Sequence, residues 1–177
     1  MNPWDDVPYF KNESGFLNWL RSQTRRIWSR HPTKLEYKKN RRYKAPVGKN
    51  GKMVFVSDCE ICGKQHRDCE VDHIKAGGSF HDWGSYTKWA ERILWVGMDD
   101  IRELCPDCHS IVTYQQSNNC SWEEAVSRKM LVSKLKQPVT IQKKELTDAG
   151  FTDSMIRNKG AREECYVKLL RDVKNDA

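Results

Sequence analysis

Two Cys-x-x-Cys pairs, Cys59-Glu-Ile-Cys62 and Cys105-Pro-Asp-Cys108, are separated by 42 residues. Each spacing closes a tight knuckle that brings two thiolates and several backbone N–H groups to one point. Two knuckles together offer the four soft ligands of a tetrahedral zinc ion. Gly63 after the first pair and Pro106 within the second suit that turn geometry. One pair alone would equally fit a thioredoxin-like redox motif. Two pairs without a βαβ pattern read as a structural zinc site, Cys59, Cys62, Cys105 and Cys108, with a disulfide or redox pair as the alternative. Cys69, Cys120 and Cys165 are solitary and read as buried thiols packing as small apolar groups. His66 lies close to the first knuckle and is expected to stay outside a site that already has four cysteines.

A second group of reactive side chains lies inside this framework. Nine residues separate Cys62 from Asp72-His73, which ends a strand-like run, and His109 directly follows Cys108. Closing the two knuckles draws Asp72, His73 and His109 into one neighbourhood, so that metal-binding energy assembles a cluster in place of a large core. An Asp-His dipeptide taken alone is more commonly a hydrogen-bonded surface pair; the flanking knuckles give this one its interest.

The elements that must position these residues follow from apolar period and turn chemistry. Ser14 is expected to cap a helix from Gly15 to Arg30, with Phe16, Leu20 and Ile27, helped by Trp19 and Trp28, on one side. His31-Pro32 ends it. Residues 34–52 interleave Lys38, Lys39, Arg41, Arg42 and Lys44 with Tyr37 and Tyr43, and Pro46, Gly48 and Gly51 break regular structure late in the stretch. This reads as a basic arm for phosphate contact and stacking, or as a solubilising linker. Short strands are expected over Met53–Ser57, Glu70–Ile74 and Asp100–Leu104. Helices are expected over Ser85–Trp95, Pro106–Gln116 and Trp122–Lys136, the last behind a Ser121/Glu124 capping box. Further helices near 142–149 and 153–173 flank Gly150.

In these quoted elements the chain resembles the HNH (ββα-metal) endonuclease family, most closely its small phage and mobile-element members. The resemblance rests on Cys59-x-x-Cys62, Val71-Asp72-His73-Ile74 and Ile101-Arg102-Glu103-Leu104-Cys105-Pro106-Asp107-Cys108-His109, and covers roughly residues 53–116. It implies an α+β fold, a zinc-stapled ββα core with helical extensions at both ends. Asp72 and His109 would ligate one catalytic ion, and His73 would take a proton from water. One carboxylate and one imidazole form a thin ligand set that leaves room for phosphate. Oxygen favours Mg²⁺ and imidazole favours Mn²⁺, so either is expected to serve. The family's central asparagine is replaced by Asp100, which can accept but not donate hydrogen bonds while ionised, and is expected to orient His73, to approach the metal or to serve simply as an aspartate in a turn. Val112 stands where relatives often place a basic residue.

Charge agrees with a polyanionic partner. Residues 1–52 carry thirteen Lys/Arg against four Asp/Glu, whereas residues 53–115 carry six against eleven, within an overall net charge of +7. An acidic centre between basic ends suggests a cation-binding site between arms that attract a polyanion, or else a solvated charged surface. Arg25, Arg26, Lys38, Lys39, Arg41, Arg42 and Lys44 are the expected nucleic-acid contacts. Three segments are expected: a basic helical arm (1–52), the zinc-bound core with its following helix (53–136) and a helical appendage (137–177), where Lys143, Lys144, Arg157, Lys159 and Arg162 are a further basic group. No apolar run spans a membrane and no secretory leader is visible, so a cytoplasmic metal-dependent nuclease is expected. The competing expectation is a zinc-ribbon nucleic-acid-binding module without catalysis.

Overall fold

The computed structural model describes residues 9–48 and 50–175, with side chains described as far as residue 170. Its helices and small sheets form an α+β arrangement. The chain divides into two compact units, Met1–His109 and Ser110–Ala177. This division differs from the three expected segments, because pairings formed by the chain cross the expected boundary at 52/53.

The first unit begins with α1 (Glu13–Ser29) and α2 (Pro32–Arg41). Asn12, rather than Ser14, caps α1: its side-chain oxygen accepts from Gly15 N at 2.9 Å. Phe16, Leu17, Leu20 and Thr24 form the buried stripe, while Ile27, expected there, is 53% exposed. Pro32 ends the first helix as expected and also occupies the first turn of the second, where its missing N–H is not needed. The stretch expected as a basic arm or a linker thus lies in α2 and, in its later part, pairs as a hairpin.

In that hairpin β1 (Tyr43–Val47) runs antiparallel to β2 (Lys52–Asp58), from Tyr43 opposite Val56 to Val47 opposite Lys52. Gly48 and Gly51 sit at φ +74° and +58° in the turn, a conformation that costs a residue with a Cβ. A short β3 (Gln65–His66) continues the sheet from β2. The second sheet pairs β4 (Glu70–His73) antiparallel with β5 (Ile101–Leu104), placing Asp72 opposite Arg102 and His73 opposite Ile101. A 3₁₀ turn at Met98–Asp100 leads into β5, which passes through Cys105 into α4 (Pro106–Asn118). Two antiparallel strands are thus followed by a helix.

Between β4 and β5 lies α3 (Trp83–Leu94), which begins two residues before the expected start because Asp82 and Ser85 form a reciprocal capping box. It packs on α1 in a cluster of Phe16, Leu17, Leu20, Phe80 and Trp89, so the aromatic-rich segment builds one apolar cluster of this unit. Trp89 also donates its indole N–H to the Gly78 carbonyl at 3.2 Å.

The second unit contains most of α4, α5 (Trp122–Lys136), α6 (Val139–Asp148) and α7 (Lys159–Asn175). Ser121 and Glu124 cap α5 as expected. The helix expected over 153–173 is instead a 3₁₀ turn at Asp153–Ile156 followed by α7. Leu131, Leu146, Ile156, Cys165 and Tyr166 form its core. Arg162 belongs to this core and not to a basic surface: its Nε donates to Gln142 Oε1 at 2.9 Å and its Nη1 to the Ile156 carbonyl at 3.3 Å. No helix among the described residues is long and apolar enough to cross a membrane.

Phe80 is 1% exposed and touches both Tyr86 and Trp89. Phe80→Ala is expected to lower stability by about 3–5 kcal/mol in urea unfolding followed by tryptophan fluorescence. Lys39→Ala, on an exposed helix face, is expected to change it by less than about 0.5 kcal/mol.

Candidate metal centre and active site

The ligand atoms of Cys59, Cys62, Cys105 and Cys108 all lie within 4.8 Å of one another. The Cys62 and Cys105 sulfurs are 4.0 Å apart. Four sulfurs at about 2.3 Å from a common zinc ion span tetrahedral edges of roughly 3.8 Å, so the group can hold a metal ion such as zinc. The first knuckle follows β2 and returns through Gly63, at φ +66°, whose N–H donates to the Cys59 carbonyl at 2.8 Å. The second joins β5 to the first turn of α4. Backbone bonds tie the two together: Glu60 N donates to the Glu103 carbonyl at 3.0 Å, and Glu103 N donates to Glu60 Oε1 at 2.6 Å.

The four thiols do not ionise alike. Burial opposes charge on Cys59, yet N–H donation from Cys62, Cys105 and Ile61 and the Cys62 thiol together bring it down to about 6. Burial pushes Cys105 and Cys108 up, and the neighbouring Cys59 adds to the push. One thiolate is therefore stabilised by the backbone, while a complete set needs a cation. Of the solitary cysteines, Cys69 and Cys165 are buried as expected and Cys120 is partly exposed. Burial holds Cys69 up at about 11. His66 lies in β3, outside the four-sulfur group.

Alternation along β4 sorts the next residues onto two faces. Glu70 and Asp72 point to one, where α4 presents His109. Asp72 Oδ1 lies 3.6 Å from His109 Nε2, and Glu70 Oε2 lies 3.3 Å from His109 Nδ1. Arg102, opposite Asp72 in the register, brings Nη2 to 3.9 Å from Asp72 Oδ2. That oxygen is buried and accepts no hydrogen bond among the described residues. A buried carboxylate oxygen without such a partner calls for an explanation, a cation among them.

His73 points to the other face. Its Nε2 lies 3.0 Å from the Ile93 carbonyl, and its ring centroid is 4.2 Å from that of Trp28. A carbonyl only accepts, so Nε2 carries the proton, and in the neutral ring Nδ1 keeps its lone pair. Asp100 does not supply this contact, contrary to expectation: it makes no hydrogen bond or ion pair with His73. Its Oδ2 accepts from Gly97 N at 2.9 Å, because an aspartate in a turn captures a nearby backbone N–H. Its main-chain carbonyl accepts from Ile74 N at 2.9 Å and so anchors the residue after His73.

Of the expected nucleic-acid contacts, Arg25, Arg26, Lys39, Arg42 and Lys44 are exposed and Lys38 is half-buried. Arg41 differs. Its Nε lies 3.5 Å from Glu60 and 3.7 Å from the wholly buried Glu103, so its charge is matched internally. Glu103 also accepts from the Ser57 hydroxyl at 2.7 Å, and Tyr37 donates to Glu60 at 2.7 Å. Lys34 was not singled out from the sequence. Its ammonium lies 5.0 Å over the Trp28 ring; burial and Lys38 hold its pKa below the usual lysine value, against the fields of Glu70 and Asp72. Glu70 was detectable as the residue two before Asp72 on a strand; Arg102 and Trp28 became apparent only with the register and packing. Comparisons with protein-family models, curated proteins and solved structures returned no match.

Zinc-loaded protein is expected to carry about one zinc ion per chain, measured by metal analysis after gel filtration. Cys59→Ser and Cys105→Ser are expected to lose that zinc and unfold on mild heating. Because thiolate ligands must shed protons, zinc affinity should fall as the pH falls.

Proposed function

We propose that this protein is a metal-dependent endonuclease that hydrolyses DNA phosphodiester bonds, with His73 as general base. The observation that carries this reading is the Asp72–His109 pair. At 3.6 Å its two atoms are too far apart for a hydrogen bond, yet two ligands about 2.1 Å from a shared ion can span such a distance. The buried, unbonded Asp72 Oδ2 beside them favours the same reading. A bound Mg²⁺ or Mn²⁺ would stabilise the charge that develops on the phosphate and on the leaving 3′ oxygen.

The protein's own part is proton transfer, charge and orientation. The Ile93 carbonyl fixes His73 with its proton on Nε2, leaving Nδ1 to take the proton of an attacking water. The oxygen of that water bonds to phosphorus as the P–O3′ bond breaks, and the leaving 3′ oxygen takes a proton from solvent, giving a 5′-phosphate and a 3′-hydroxyl. Trp28 lies against the imidazole and limits its rotation, while Lys34 and Arg102 add positive charge for phosphate oxygens near the two carboxylates. Arg25, Arg26, Lys38, Lys39, Arg42 and Lys44 supply contacts to the flanking backbone, with a strong salt dependence. Asp100 serves by holding the turn before β5. The resemblance in the Val71–Ile74 and Ile101–His109 elements supports the same assignment.

In supercoiled plasmid assays with Mg²⁺ or Mn²⁺, the zinc-loaded protein is expected to produce nicked or linear DNA. His73→Ala is expected to lower the rate by about 10²–10⁴-fold with zinc content unchanged. Asp72→Ala and His109→Ala should silence it, and EDTA treatment that leaves the cysteine-bound zinc in place should do the same. Equal cleavage by wild type and His73→Ala would remove the base assignment. DNA binding without cleavage in either metal would leave a zinc-stapled binding module.

A further inference from the structure

Glu70 and Asp72 are two residues apart on β4, so their side chains leave the same face about 7 Å apart along the strand. His109 lies between them: Nδ1 is 3.3 Å from Glu70 Oε2 and Nε2 is 3.6 Å from Asp72 Oδ1. Of the two contacts only the one at 3.3 Å is within hydrogen-bonding distance, so in the neutral ring the proton is better placed on the nitrogen facing Glu70. In the neutral ring the lone pair then falls on Nε2, the nitrogen that faces Asp72. With Nε2 protonated instead, the ring would offer Asp72 a hydrogen and no ligand atom.

We infer that Glu70 is a positioning residue, which holds the proton of His109 on Nδ1 and so presents Nε2 beside Asp72 as a metal ligand. This rests on the Asp72–His109 site proposed above and adds the residue that orients it. A carboxylate behind a ligating imidazole fixes both the tautomer and the ring angle, and it raises the basicity of the ligating nitrogen. Backbone geometry makes this specific to position 70. Val71 and His73 point to the opposite face, and the cross-strand neighbour of Glu70 is the apolar Leu104. The Glu70 side chain is 63% exposed, so replacing it leaves no buried gap, and its effect can be separated from unfolding.

The test uses the full, zinc-loaded chain and Mn²⁺ alone as probe. Free Mn²⁺ is followed by electron paramagnetic resonance during titration of wild type, Glu70→Ala, Glu70→Gln and Asp72→Asn. Glu70→Ala is expected to weaken Mn²⁺ binding by about 10–100-fold with zinc content unchanged. Glu70→Gln, whose side-chain carbonyl can accept the same N–H, is expected to recover most of that loss, and Asp72→Asn should bind poorly.

Long-range ¹H–¹⁵N correlation spectra of the histidine rings at pH 8, assigned with His109→Gln, give a readout independent of the added metal. Wild type should show a protonated Nδ1 on His109, and Glu70→Ala should lose it. A bare Nδ1 in the wild type would overturn the inference. So would a Glu70→Ala protein that binds Mn²⁺ as tightly as wild type, while the Asp72–His109 reading survived. A wild type that binds no Mn²⁺ would overturn both.

Discussion

Four sulfurs from two segments 42 residues apart must share a volume in which no pair of ligand atoms is more than 4.8 Å apart. As thiolates they would repel one another, and burial already pushes Cys105 and Cys108 toward the neutral form. A metal ion reverses that sign. Structural zinc sites contribute about 10–16 kcal/mol of binding energy near neutral pH, as much as the whole net stability of an ordinary domain, about 5–15 kcal/mol. In a unit of short strands, closure around a metal ion held by these sulfurs would be large enough to decide whether the strands meet.

The arrangement of the candidate site follows from that closure. The first knuckle is tied to β5 through the Glu60–Glu103 backbone pair, with Glu103 buried between Ser57 and Arg41. Once β5 is fixed, β4 pairs with it in one register, since slipping by one residue would turn buried Val71 outward and carry Glu70 and Asp72 to the buried side. That register sends Asp72 and Glu70 toward α4 and His73 toward Trp28 and Ile93. Metal binding and proton uptake, on the proposed reading, therefore occur on opposite faces of one four-residue strand. The separation keeps His73 from becoming a ligand and leaves its Nδ1 lone pair for water.

Much of this was legible in the sequence where local rules dominate. Cysteine spacing located the sulfur group, the Ser121/Glu124 box located the start of α5, and His31-Pro32 located a helix boundary. Less legible were features decided by competition or by distant packing. Asn12 displaced Ser14 as the α1 cap, since either side chain can capture the same kind of N–H. Ile27 fits the helical period but faces solvent, and Thr24 is buried because Tyr86 offers its hydroxyl a partner at 3.1 Å. Arg41 looked like its basic neighbours until β5 brought Glu103 beneath it. Asp100 was assigned to His73 from its place in the motif, whereas the nearby Gly97 N–H already occupied its carboxylate. The Ile93 carbonyl carries no residue-type signal at all; any residue there presents the same oxygen.

The charges around Asp72 bear on how the proposed reaction would be ordered. Arg102 lies 3.9 Å from Asp72, and the fields of Glu70 and Asp72 reach Lys34, so the carboxylates already have positive charge nearby before an ion or substrate arrives. Arg102 is a poor substitute for a metal. At 3.9 Å it makes no hydrogen bond to Asp72 Oδ2, and at partly exposed positions such a pair contributes about 1 kcal/mol or less. It nonetheless lowers the attraction that the carboxylates exert on a divalent cation. A phosphodiester placed beside the site restores that attraction, because its negative charge can be shared by the ion, Arg102 and Lys34. On the proposed reading, DNA and metal would therefore favour each other's binding: an ion would be held loosely by two protein ligands alone and more firmly once the phosphate supplied a third. Such coupling would limit metal-assisted hydrolysis to the moment when substrate is in place.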